Sequence, residues 1–299
     1  MAPTTRYTDD EWASIIASTI SAVESSPRPS YPLPDSIPGT IDHTLLKLDA
    51  TQAQIDNLCA EARVHNFATV CVRPNWVARC VSNLKGSGVG VAAVVGFHEG
   101  TQDLYQKLED TTTSLTSGAT ELDTVLNAPH LLSKNYSAVY TELSALRAAA
   151  PSATLKLILE TSLLTPAQTT AACVLASAAS LDFVKTSTGF LAPAACLPGK
   201  PTGATIEDVR LMRACCEYLG GEASALGAPV DGRRKMKVKA SGGVRTLADA
   251  VGMLEAGAGR LGSSGGVWIA KEGEAVAEGR GGENGERPRG LETRMFSDY

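Results

Sequence analysis

The chain has 299 residues, 43% of them hydrophobic and 20% charged, with a formal net charge of -5 at pH 7, which allows one large domain or two ordinary ones around a sizeable core. Its apolar runs all fall short of the roughly 20 residues that a membrane-spanning helix needs, and its acidic balance argues against broad electrostatic binding to nucleic acid or to an anionic membrane surface. Seven cysteines, scattered and mostly set in apolar runs, have neither metal-ligand spacing nor a disulfide framework, and with no basic, apolar and cleavage regions at the amino terminus they point to buried thiols in a cytoplasmic protein.

Residues 8 to 24 read as a helix, capped by Thr8 or Asp9, with Trp12, Ile15, Ile16, Ile20 and Val23 forming one apolar face. The following SSPRPSYPLPDSIPG is a proline-rich extended connector. Residues 1–37 are therefore expected to be a helix and connector ahead of the main domain. From Thr40 onward, strand-like and helix-like segments alternate, the signature of parallel βα units. The candidate strands are 40–45, 68–73, 89–97, 119–127, 154–160, 181–187, 236–241 and 259–264, and the helices fall near 51–65, 74–84, 101–117, 133–149, 165–178, 205–219 and 246–256, with a short eighth after Gly265. This pattern over residues 38–271 predicts an α/β fold of the (β/α)8 barrel class, which typically takes about 250 residues. An open doubly wound sheet is the alternative, but no GxGxxG follows the first strand and no Walker loop occurs. Residues 272–299 have too little apolar content to pack and read as a flexible C-terminal tail, although the chain ends in MFSDY.

In a barrel the site lies at the carboxyl ends of the strands. That rule selects Asp42 and Thr44, Cys71 and Arg73, Asp123, Glu160, Lys185 and Lys239. Strand alternation then places Glu121 with Asp123, Lys156 with Glu160, and Lys237 with Lys239. With Asp42 and Lys185 added, four carboxylates and four lysines are expected in the barrel interior, where charges persist only when paired. Glu121, Lys156, Glu160 and Lys237 read as supporting charges.

Two segments carry most of the chemistry, FVKTSTGF at 183 to 190 and KVKASGGVRT at 237 to 246. In each, a strand ends in a lysine followed at once by small, hydroxylated or glycine residues. A lysine amine is a nucleophile only when neutral, and burial together with a neighbouring cation favours that form. Either Lys185 or Lys239 suits the nucleophile, the other depressing its pKa, and Asp123 is placed to pass protons through water. The chemistry that follows is imine formation with a carbonyl substrate, then carbon–carbon cleavage or formation through an enamine.

An anion site is expected independently, because barrels hold phosphate with the loops after the seventh and eighth strands and the amino end of a short helix. Those loops read SGGVR and GSSGG. They make Gly242, Gly243, Arg245, Gly262, Ser263 and Ser264 the candidate ligands, with Ser187, Thr188 and Gly189 closing the third side. Arg245 equally suits a partner at the start of its own helix. Cys71 and His98 sit at strand ends and read as structural before functional. None of the four histidines has metal spacing, so no metal is expected.

The motifs IDHTLL, VCVRP, VVGF, ELDTVLN, LKLILET, FVKTSTGF, KASGGVRT and GSSGG, running from about 41 to 266, resemble in order those of the deoxyribose-phosphate aldolase family. The resemblance implies that Lys185 forms a Schiff base, that Lys239 perturbs its pKa and that Asp123 relays protons through water. It implies cleavage of 2-deoxy-D-ribose 5-phosphate to D-glyceraldehyde 3-phosphate and acetaldehyde, in deoxyribose phosphate catabolism, without metal or organic cofactor. The expected partner is a small sugar phosphate, with neither nucleic acid nor membrane, and a homodimer is the candidate assembly. Two residues depart from the pattern: His98 stands where members commonly have proline, and Phe190 where some have a lysine that approaches the phosphate. Phosphate binding then leans on backbone amides and Arg245. The alternatives are a related Schiff-base lyase or transaldolase on another sugar phosphate, and a non-catalytic phosphosugar-binding barrel. Simple disorder is the first expectation for the tail; the other is that Met295, Phe296 and Tyr299 dock at the mouth, with the Tyr299 hydroxyl joining the proton relay.

Overall fold

A computed structural model describes residues 7–221, 224–226 and 235–279. The strands are β1 (Ile41–Thr44), β2 (Thr69–Val72), β3 (Gly90–Val95), β4 (Glu121–Val125), β5 (Thr154–Ile158), β6 (Phe183–Lys185), β7 (Lys237–Ser241) and β8 (Arg260–Ser263). All neighbours pair in parallel and β8 returns to β1, closing the barrel in sequence order. The helices are α1 (Asp9–Glu24), α2 (Gln52–His65), α3 (Val77–Asn83), α4 (Leu104–Thr116), α5 (Ala128–Leu132), α6 (Tyr136–Ala149), α7 (Pro166–Ala178), α8 (Ile206–Leu219), α9 (Leu247–Glu255) and α10 (Gly266–Ala277). None of the described helices is long and apolar enough to cross a membrane.

Local chemistry sets the helix starts. Thr51, Asp103, Thr165 and Thr246 each accept a hydrogen bond from the backbone three residues on, and Gln54, Gln106, Gln168 and Asp249 reach back to the cap. These reciprocal caps satisfy amides that would otherwise be orphaned where the chain turns from strand to helix. The helix expected over 133–149 is α6, and the short α5, with Pro129 in its first turn, precedes it; the chain passes through Lys134 at φ 61° between the two.

The amino-terminal helix is part of the barrel's outer layer. Every residue of α7 from Thr169 to Ala178 is buried, because its TTAACVLASA stretch offers no polar face to water and must be covered on both sides. β6 lies beneath it, and α1 lies over it, packing also on α6 and α8. Trp12, fully buried, anchors the cover between Tyr7 and Tyr140, with ring centroids 4.8 and 5.1 Å away. At the other end, α10 runs to Ala277, past residue 271 where the sequence reading placed the end of the barrel. The tail beyond 279, with Met295, Phe296 and Tyr299, lies outside the described residues.

One interior expectation fails. Lys237 is exposed because it opens β7 at the amino-terminal rim of the barrel, where its ammonium stands 6.0 Å from the Phe183 ring centroid in contact with water. The interior cation from that layer is Arg260, whose register partner on β7 is Lys239.

Candidate active site

Asp123, at the middle of β4, is the hub of the barrel interior. Its Oδ1 accepts from Lys156 Nζ at 2.7 Å, and its Oδ2 from both Lys239 Nζ at 2.7 Å and Lys185 Nζ at 3.0 Å. One strand register delivers the two lysines, since Lys185 and Lys239 are partners across β6 and β7. Below them, Asp42 accepts from Lys239, from Arg260 at 2.5 Å and from Thr69 at 2.8 Å. Glu121 lies 2.5 Å from Lys156 and 3.2 Å from Arg260. Asp42, Asp123, Lys156 and Lys239 are fully buried, and Lys185 is 1% exposed.

The charge balance separates the lysines. Asp42, Glu121 and Asp123 are matched one for one by Lys156, Lys239 and Arg260. An ammonium on Lys185 is then a surplus charge in a low-dielectric interior, which burial opposes. Burial and, after it, the Lys239 cation hold the Lys185 pKa below the ordinary lysine value, outweighing the attraction of Asp123. Burial also opposes the charge on Lys239, but Asp123 and Asp42 overcome it and raise that amine. Lys156 is raised by the same two carboxylates against burial. Burial favours the neutral carboxyls, yet the surrounding cations hold Asp42 and Asp123 well below the usual carboxylate range.

Above the lysines, at the carboxyl ends of the strands, lies a cavity of about 190 Å³. Thr44, Thr188, Gly189, Gly242, Gly243, Arg245, Gly262, Ser263 and Ser264 all line it. Gly242 has φ 88°, and a Cβ on it would lie 2.8 Å from the Gly203 Cα, so the loop needs glycine both for its conformation and for the approach of the β6–α8 segment. A Cβ on Gly262 would meet Ser241 Oγ at 2.5 Å and Lys239 Cε at 3.1 Å. Ser263 Oγ donates to the Val244 carbonyl at 2.6 Å and accepts from the Gly265 amide at 2.9 Å, tying the two glycine loops together. Arg245 is exposed at the rim, and its guanidinium has no ion-pair partner among the described residues.

Lys185, Lys239 and Asp123 lie below the cavity wall, and two of the predicted binding residues are absent from it. Ser187 is fully buried, with its Cβ behind Gly242 and its hydroxyl without a hydrogen-bond partner among the described residues. Cys71 is also fully buried, packed with Leu46, Ala92 and Val94, and burial first, then Asp123, pushes its thiol pKa up. The position of Glu160 differs from that expected. β5 ends at Ile158, Glu160 adopts φ 54°, and its carboxylate turns from Lys156 to accept from the Thr188 amide at 3.0 Å and from the Thr188 hydroxyl. It shapes the loop after β6 and joins the cavity wall.

Sequence reading missed Arg260, although its alternation with Gly262 on one strand face was a usable signal. It also missed the wall supplied by Leu191, Pro193, Thr202 and Gly203, for which the β6–α8 loop gave no periodic signal. That segment is pinned by Leu197 N to Ser162 O at 2.9 Å, Lys200 Nζ to Thr161 O at 2.9 Å and Ala204 N to Gly242 O at 3.0 Å. Among the described residues, no group of His, Cys, Asp and Glu side chains has an arrangement able to hold a metal ion.

The sequence profile of the DeoC/LacD family aldolases matches residues 39–273. The chain is 46% identical over 267 residues to the deoxyribose-phosphate aldolase of Coccidioides immitis, covering 88% of this chain and 92% of that protein. It is 44% identical over 239 residues to that of Brevibacillus brevis, covering 80% and 97%. Among solved structures it is similar to a candidate deoxyribose-phosphate aldolase from Coccidioides immitis, with TM-score 0.80 and 44% identity over 91% of this chain and 100% of that one. It is also similar to the tetrameric deoxyribose phosphate aldolase from Aeropyrum pernix, with TM-score 0.66 and 28% identity over 90% of this chain and 100% of that one.

Proposed function

The chain belongs to the DeoC/LacD family of aldolases, and on that premise we propose that it reversibly cleaves 2-deoxy-D-ribose 5-phosphate to D-glyceraldehyde 3-phosphate and acetaldehyde as a class I, Schiff-base aldolase. The observation that carries the reading is the convergence of Lys185 and Lys239 on one oxygen of Asp123 directly beneath a glycine-lined cavity.

Lys185 is the nucleophile, since it is the surplus cation of the interior and the amine whose pKa is depressed. Its nitrogen adds to the C1 aldehyde of the open-chain sugar, and loss of water leaves a protonated imine. That imine is the electron sink. Removal of the C3 hydroxyl proton, taken through water by the Asp123 relay, lets the C2–C3 bond break, C3 becomes the aldehyde of the departing glyceraldehyde 3-phosphate, and the electron pair rests in the enamine. Asp123, relaying through water with Lys239, returns a proton to C2, and hydrolysis of the imine releases acetaldehyde. Lys239 is charged in the resting site, held by Asp42 and Asp123, and so disfavours a second cation at Lys185.

The phosphate is received by the backbone amides of the Gly242–Gly243 and Gly262–Ser264 loops and the first turn of α10, with Arg245 as counter-charge at the rim. Ser263 acts by bracing the loops, since its hydroxyl is already engaged on both sides. A homodimer in the cytoplasm is the setting we propose; the free state of all seven cysteines fits a reducing compartment, and sedimentation reads the assembly.

Borohydride reduction in the presence of acetaldehyde, followed by peptide mapping, tests the assignment. The adduct is expected on Lys185, and an adduct on Lys239 overturns it. Turnover is expected to withstand a chelator, because the imine supplies the electron sink; inhibition that added metal reverses overturns the class I reading. Ketose-dependent transfer in place of cleavage identifies the transaldolase alternative.

A further inference from the structure

The two residues that depart from the family pattern meet in space. His98 follows β3 and Phe190 follows β6, and β4 and β5 stand between those strands in the barrel. Yet the two rings stack, with centroids 5.6 Å apart and planes 20° from parallel. Phe97 meets Phe190 edge-on at 5.1 Å and 84°, and the Arg73 guanidinium lies 5.3 Å from the Phe97 centroid. These separations fall in the range where aromatic groups attract. Phe97 and Phe190 rest together on Leu46, Cys71, Ala92 and Val94, a small apolar cluster separate from the main core.

Phe190 also belongs to the wall of the cavity. Its amide donates to Thr188 Oγ1 at 3.1 Å, and Thr188 is in turn held by Glu160. The backbone of Phe190 is thus fixed from its own side of the barrel, while its ring is supported from the β3 side. A contact from the β3 loop to the β6 loop crosses the mouth over the ends of β4 and β5, the strands that carry Asp123, which accepts from Lys185, and Lys156, which pairs with Asp123.

We infer that His98 is a positioning residue that holds the Phe190 ring across the mouth, and that Phe190 is a specificity-determining wall packing on the carbon chain of the sugar and limiting water at Lys185. The inference rests on the aldolase reading above. Phe190 is uncharged, so its contribution acts on the C–H surface of the substrate, and the anion is left to the glycine loops and Arg245. The His98 side chain is 39% exposed, with Nδ1 3.5 Å from Glu99, and its ring area is what supports Phe190. The titratable groups around the amine are Asp42 on β1, Cys71 on β2, Asp123 on β4, Lys156 on β5, Lys239 on β7 and Arg260 on β8. The strap adds Arg73, His98 and Glu99 at the rim. Its effect on the amine is therefore to exclude water, the largest of the influences that depress Lys185.

The test is steady-state cleavage of 2-deoxyribose 5-phosphate and of unphosphorylated 2-deoxyribose by the native protein, His98→Ala, His98→Phe, Phe190→Ala and the double alanine variant. Loss of the ring contact should raise KM by roughly threefold to tenfold, by the same factor for both substrates. The double variant should be no worse than Phe190→Ala, because the two rings act as one unit. His98→Phe should restore native KM, and the acidic limb of the rate profile should move to higher pH in Phe190→Ala as water reaches the Lys185 ammonium. Additive losses, failure of His98→Phe to rescue, an unmoved acidic limb, or a loss confined to the phosphorylated substrate each overturn the inference. Absence of any borohydride-trapped adduct in the native protein refutes the aldolase reading itself, whereas native trapping with unaltered KM in the variants refutes only the strap.

Discussion

At Lys185 the decisive quantity is a count of charges: three carboxylates are already matched by Lys156, Lys239 and Arg260. Removing the Lys239 charge should let the Lys185 ammonium persist to higher pH, both because a like charge is gone and because Asp123 and Asp42 lose a competing partner. For Lys239→Leu we expect the acidic limb of kcat/KM to move to higher pH and the plateau to fall by roughly 100-fold or more, as the proton relay is also broken; an unchanged pH profile would sink the assignment. Arg260 makes a separate prediction, about stability. Its guanidinium neutralises Asp42 and Glu121 at the amino-terminal end of the barrel, and breaking a buried ion pair costs about 3–5 kcal/mol. Arg260→Met should lower the denaturation midpoint accordingly, and equal midpoints for the two proteins would show that the pairs are not needed.

Among the elements, α1 and α7 depend on each other. α7 is composed almost wholly of small and apolar residues and is buried along its length, so it cannot face water as the other outer helices do. α1 brings Trp12, Ile16, Thr19 and Val23 against the outer layer. Trp12→Ala should destabilise by about 3–5 kcal/mol through lost transfer energy and the cavity left behind. Because the site lies at the far ends of the strands, KM should stay close to native in the folded variant. Unfolding curves and kinetics on the same preparation check both halves; a midpoint equal to the native one would make α1 an appendage.

For the whole molecule, the buried charges dictate how stability varies with pH. Asp42 and Asp123 have folded pKa values lowered from the ordinary range, so the unfolded chain binds more protons than the folded one in acid. Their contribution is fully present above the unfolded carboxyl pKa of about 3.9 and is lost as pH falls from there toward the folded values. Lys156 and Lys239 are raised; their contribution is present below the unfolded lysine value of about 10.4 and is lost only as pH rises through the folded values. Lys185, being lowered, has the opposite sign and costs stability below that unfolded value. Denaturant midpoints measured from neutral pH downward should be flat to about pH 4 and then fall. A decline beginning well above that pH would point to a different set of titrating groups.

Periodicity alone determined most of the architecture. Strand and helix alternation and reciprocal caps such as Thr51 with Gln54 are local, and short strand runs carrying Lys185 and Lys239, each followed by small residues, announce the interior of a parallel barrel. Which lysine loses its proton was not local. It depends on Asp42, Asp123, Arg260 and Lys156, drawn from four other strands and summed through space, and the residues by themselves left both lysines open. The same holds for Lys237, whose exposure follows from where β7 enters the barrel, and for Glu160, which one residue at φ 54° turns from the interior toward Thr188. The sequence could mark His98 and Phe190 only as two unrelated departures, 92 positions apart by their numbers. Barrel closure makes them neighbours, because it brings the ends of β3 and β6 to one rim and turns distance along the chain into contact across the mouth.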